Sequence, residues 1–70
     1  MERVMVALKD TLKRERRRAA LTQEELAREA GVGIMTIRRI ESGDITEPRV
    51  STLRKLAAAL GISTRELVEE

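Results

Sequence analysis

The side chains able to do chemistry in this sequence are almost all charged: 14 Lys plus Arg against 12 Asp plus Glu, with no His, no Cys and no aromatic residue among 70. Without imidazole or thiol there is no ordinary general base, no nucleophilic sulfur, no disulfide and no zinc ligand set. Without aromatic rings the stacking platforms of single-strand and RNA binders are missing as well. No enzyme activity, catalytic residue, metal or cofactor is therefore expected, and the chemistry left to the chain is ionic recognition. Its net charge is only +2, but ten basic and seven acidic residues lie up to Gly43, against four basic and five acidic from Asp44 onward. The positive excess, densest in KRERRR from Lys13 to Arg18, suits a polyanionic partner, although a solvated helix face would look the same from charge alone.

One carboxylate stands apart from the others. In GVGIMTIRRIESG, Glu41 is set among isoleucines while a methionine and two arginines fall between them. The meaning of that pattern depends on the elements that carry it. Val4, Leu8 and Leu12 recur every four residues and predict a first helix over residues 3 to 19. In LTQEEL, Thr22 and Glu25 have the spacing of a capping box and Leu21 and Leu26 that of a hydrophobic staple. A second helix therefore begins at Thr22 and ends near Ala30, ahead of Gly31. Gly33 can cap a third helix from Ile34 to Ser42, which Gly43 stops. Pro48 is permitted near the start of a fourth helix with Val50, Leu53, Leu56, Ala57 and Leu60 on one face, closed by Gly61. Ser63 and Glu66 repeat the capping box, with Ile62 and Leu67 as its staple, for a short fifth helix. No segment alternates like a strand, so a single all-α domain of five helices over residues 1 to 70 is expected. The longest apolar stretch, Leu56 to Ile62, has seven residues, far short of the roughly 20 that span a bilayer, and MERVMVALKD lacks the apolar run of a signal peptide. A cytoplasmic protein with no membrane partner is the expectation.

At 100° per residue, Gly33, Ile34, Ile40 and Glu41 lie within about 60° of Ile37, whereas Met35, Arg38, Arg39 and Ser42 occupy the opposite side of the third helix. The first face packs and the second is presented. A carboxylate on a packing face needs a partner, and Arg16 continues the Val4, Leu8, Leu12 stripe toward it, so an Arg16–Glu41 ion pair is inferred. Glu41→Ala is expected to cost more than Arg16→Ala, because it strands a buried arginine.

Two helices joined by a short turn containing Gly, the second displaying side chains outward, form a helix-turn-helix, here over about residues 22 to 42, and the second helix of such a pair enters the major groove of DNA. The run from LTQEELAREAGV to RRIESG, followed by Pro48 and LRKLAAALGIS, resembles the phage-repressor and Cro-like (Xre-type) family over about residues 8 to 68. The resemblance implies a compact lambda-repressor-like domain, a transcription regulator, a repressor in many members, that binds a palindromic operator in double-stranded DNA as a homodimer. By position it implies base reading by Gly33, Ile34, Met35, Arg38 and Arg39 and phosphate contacts by Thr22, Gln23, Ser42 and Arg49. Gln23 also stands where the family braces the reading helix, and the family commonly pairs an Arg and a Glu at the positions of Arg16 and Glu41. The reading helix opens on Gly33, Ile34 and Met35 where the family mostly has polar residues, which leaves contact with a thymine methyl as the natural role there. The loop after it carries Asp44 and Glu47 where basic residues are common. The alternative is a protein-interaction module docking through exposed Ile34 and Met35, with Met5 beside them. By analogy with the family, the C-terminal helix with Ile62, Leu67 and Val68 is the expected dimer surface.

Overall fold

Thr22 and Glu25 set the frame of the molecule. In the computed structural model, which describes residues 8–68, Thr22 Oγ1 accepts from the Glu25 N–H at 3.0 Å while Glu25 Oε1 accepts from the Thr22 N–H at 2.8 Å. This reciprocal cap starts α2 (Gln23–Ala30), and its bonds lie wholly within the local chain. Gly31 closes it, its N–H reaching Ala27 O at 2.9 Å and that of Val32 the same oxygen at 3.0 Å. α3 (Ile34–Ser42) follows after three residues, with Gly33 as its N-cap, and α4 (Val50–Leu60) and α5 (Thr64–Val68) complete the order after α1 (Leu8–Arg18). There is no strand among the described residues.

The helix bounds follow the sequence expectation closely, α2 beginning at Gln23 with the expected first residue, Thr22, as its cap. The helix expected from residue 3 is described only from Leu8, its first turn lying outside the described residues together with Met5 and Val4. α1 ends at Arg18 rather than at residue 19, because the chain turns through Ala20 at φ 60° and sends the Leu21 N–H back to Arg16 O at 3.1 Å. Pro48 lies outside α4 altogether, since Arg49, extended at φ −62° and ψ 151°, takes the N-cap position. A residue preceding the cap needs no helical φ/ψ, so the proline leads the chain into the helix without being part of it.

Each helix packs chiefly on two others in a closed ring: α1 on α3, α3 on α2, α2 on α4, α4 on α5 and α5 on α1. Inside the ring Leu12, Leu26, Ile37, Ile40, Leu56 and Leu67 are fully shut from water, with Ala27 and Ala57 where backbones approach. Leu67 is 1% exposed, and Ile62 and Val68 pack against the same core. Of the residues expected at a dimer surface, Leu67 is spent on the core of its own chain, whereas Ile62 and Val68 are half-buried and keep part of their surface outside.

Candidate nucleic-acid interface

The position of α3 is decided by a node of polar groups beneath it. Arg16 Nε donates to Glu41 Oε2 at 2.7 Å and Arg16 Nη2 to Glu41 Oε1 at 3.0 Å. Gln23 Nε2 donates to the same Oε1 at 3.0 Å. Arg16 Nη1 completes the fork on Leu21 O at 2.8 Å. One carboxylate therefore joins α1, the turn after it, the first residue of α2 and the last turn of α3. The Arg16 and Glu41 side chains are 12% and 3% exposed, and no buried side-chain nitrogen or oxygen among the described residues is without a partner. Burial pushes the Glu41 carboxyl upward, but hydrogen bonds from Arg16 and Gln23, with the charges of Arg16 and Lys13, outweigh it and hold the group below the ordinary carboxylate range. The hydrogen bond to Glu41 holds the Arg16 guanidinium above its ordinary value. An enclosed pair of this kind adds little net stability over an apolar contact; here its donors from Arg16 and Gln23 tie α1 and α2 to one carboxylate of α3.

On the opposite side of α3 the chain presents what the node does not use. Arg38 and Arg39 are exposed and form no ion pair with a described residue, and Met35 is 49% exposed. Gly33 is exposed at the N-terminal end, and a Cβ built there would meet only Thr36 Oγ1 at 3.9 Å. Ile34, by contrast, is half-buried against the core. Lying about 60° from Ile37 on the helical wheel, it is drawn inward with the packing face. The apolar docking surface expected from Ile34 and Met35 therefore reduces to Met35, with Met5 outside the described residues.

The flanking residues expected at phosphates fall at the two ends of the helix-turn-helix. Thr22 keeps its hydroxyl hydrogen while its oxygen caps α2. Gln23 uses one amide hydrogen on Glu41 and retains the other. The N–H groups of Gln23 and Glu24, first in α2, have no partner within the helix, which makes this end a natural anion site. Ser42 is more committed: its hydroxyl donates to Arg39 O at 3.1 Å and accepts from the Asp44 N–H at 3.4 Å. Arg49 is exposed at the start of α4, without an ion pair to a described residue. The loop between also exposes Asp44 and Glu47. No helix among the described residues is long and apolar enough to cross a membrane.

Residues 12–67 match the family model described as Helix-turn-helix. Among solved structures, the chain is similar to SinR, described as the master regulator for biofilm formation, in complex with DNA. The TM-score is 0.83 at 30% identity, over 86% of this chain and 95% of that one. It is similar at the same TM-score and identity to the SinR protein in its complex with the SinI protein, where 86% of this chain matches 58% of that one, so it spans little more than half of that relative. The restriction-modification controller protein C.AhdI from Aeromonas hydrophila gives a TM-score of 0.82 at 32% identity, over 89% of this chain and 92% of that one. No curated protein matches the chain by sequence.

Proposed function

Since the chain belongs to the Xre/Cro-C1-like helix-turn-helix family of DNA-binding regulators, we propose that it is a sequence-specific repressor acting in the cytoplasm, binding a palindromic operator as a homodimer with α3 in the major groove. It works by binding and carries out no chemistry. The observation that carries this reading is the division of α3 into two faces. One is locked by Glu41 to Arg16 and Gln23, and the other holds Arg38, Arg39 and Met35 outward with no ion pair to a described residue. A reading helix has to be held rigidly while its outer face stays free, because each base contact depends on hydrogen-bond distances being met. SinR, at 30% identity, is known in complex with DNA, which supports the same partner here.

In this reading α2 meets one phosphate with the amides of Gln23 and Glu24, the Thr22 hydroxyl and the remaining Gln23 amide hydrogen. Gln23 then couples that phosphate to Glu41 and so to α3. Met35 meets a thymine methyl, and Gly33 lets the DNA approach the start of α3 closely. Arg39, one helical turn beyond Met35, reaches the O6 and N7 acceptors of a guanine, where a bidentate pair discriminates by roughly 1 to 3 kcal/mol. Arg38 lies beside it toward the groove wall. Ser42 and Arg49 hold the strand at the far end.

The test sets two arginines against each other. Arg39→Ala should relax preference at one base position. Arg49→Ala should weaken all duplexes alike and lower the salt slope by about 1. Equal losses on every sequence in both mutants would remove the base-reading role of Arg39. A wild-type protein with no salt-dependent duplex binding would favour the second reading, a protein partner seated on Met35. Its exposure and the SinR–SinI complex give that reading its support.

A further inference from the structure

Lys9 lies across the end of the reading helix. A Cβ built on Gly43 would stand 3.3 Å from Lys9 Cδ, 4.0 Å from Cε and 3.9 Å from Nζ, so the lysine stem runs over the C-cap of α3, where a side chain would press on it. Gly43 also sits at φ 89°, where a side chain would be strained. The first helix thereby places a cation against the loop that leads from α3 to α4, beside Ser42.

Two of the carbonyls at the end of α3 are already taken, Arg39 O by the Asp44 N–H at 2.8 Å and the Ile45 N–H at 3.1 Å, and Ile40 O by the Gly43 N–H at 3.1 Å. Lys9 is exposed and neither hydrogen-bonds nor pairs with a carboxylate among the described residues. The negative end of the α3 dipole favours it there without consuming its hydrogens. Asp44 and Glu47 meanwhile make the loop acidic where the reading above brings a DNA strand past Ser42 and Arg49. Phosphate approaching this loop meets two repulsive carboxylates, and the Lys9 ammonium, lining the same cleft as Ser42 and Glu47, has no hydrogen bond or ion pair with a described residue.

We propose that Lys9 is a phosphate clamp contributed by α1, gripping the operator strand that passes the loop between α3 and α4. This rests on the DNA-binding reading and adds to it a third point of grip, besides the start of α2 and Arg49. Gly43 then serves the turn that ends α3, and its lack of a side chain leaves the lysine stem undisturbed. The contact is to backbone alone, so it adds affinity for every duplex and no preference among them.

The experiment compares wild type, Lys9→Gln and Lys9→Arg by titration of an operator duplex and an unrelated duplex at several salt concentrations, with thermal melts of all three proteins. Lys9→Gln should lower the slope of log K against log salt by about 1 on both duplexes, and Lys9→Arg should restore it. The melts should coincide. A Lys9→Gln slope equal to that of a binding wild type overturns the clamp and leaves the DNA reading standing, whether or not the melt moves. Failure of Lys9→Arg to restore a lost slope overturns it also, since a phosphate contact accepts either cation. A wild type that shows no salt-dependent binding removes the DNA reading and the clamp together.

Discussion

Arg16 and Glu41 are not shut away from water to the same degree, and that decides which of them the molecule can least do without. Glu41 is almost wholly enclosed, whereas Arg16 keeps an edge toward solvent and a second acceptor in Leu21 O. Arg16→Ala would leave the carboxylate with Gln23 as its one remaining donor; Glu41→Ala would leave a guanidinium still bonded to a carbonyl and able to reach water. The order expected from sequence is thus reversed. Arg16→Ala should cost roughly 3 to 5 kcal/mol and Glu41→Ala about 1 kcal/mol less, read from urea unfolding of each. A larger loss for Glu41→Ala would show that enclosure does not govern the pair. The same carboxylate has an acid signature. Its folded-state value lies below the ordinary one, so the stability it contributes is present above the ordinary carboxylate range and is lost as pH falls through the folded value. Between about pH 6 and pH 3, wild type should lose more unfolding free energy than Glu41→Gln.

Among the elements, the turn between α1 and α2 holds the clearest strain. Ala20 has φ 60°, the one residue other than glycine with a positive φ among those described. A left-handed conformation costs an L-residue roughly 1 to 2 kcal/mol, and glycine would escape that cost while giving back about 0.4 to 1 kcal/mol through its freer unfolded chain. Ala20→Gly should therefore stabilise the protein by about 0.5 to 1 kcal/mol, seen as a higher melting temperature at unchanged DNA affinity. A lower melting temperature would mean that the alanine methyl makes contacts worth more than the strain. The turn tolerates alanine because both its neighbours are fixed: Arg16 is bolted to Glu41 and to Leu21 O, and Thr22 is locked in its capping box.

For the whole molecule, the closed ring of helices supports α3 from α1 on one side and α2 on the other. In the proposed function a single α3 would touch only a few base pairs, and a palindromic site read by two copies would supply the further specificity. With Leu67 used inside its own chain, a pairing of copies through α5 would rest on the half-buried Ile62 and Val68. Footprinting at saturating protein should show two protected half-sites about one helical turn apart. Protection of one half-site alone would count against the homodimer.

Local chemistry was written plainly enough to be read from the residues. Thr22 with Glu25 and the glycines at 31, 43 and 61 set α2 and α3 at their observed bounds and the end of α4, because caps and left-handed positions depend on residue type over a few neighbours. The inward turn of Glu41 and the outward turn of Arg38 and Arg39 follow from helical periodicity, which is equally local. Tertiary structure decided the rest. Nothing about alanine announces the left-handed turn at Ala20; it is imposed by helices already anchored on either side. Leu67 is withdrawn from the surface because the whole core closes over it, whereas Ile34 is half-buried as its side of the helical wheel already implied. Whether Arg16 or Glu41 is the more enclosed depends on three helices at once, and Lys9 reaches Gly43 only when α1 is laid across α3. Residues far apart in sequence meet by packing, and packing answers to the summed shape of the chain, which no short stretch contains.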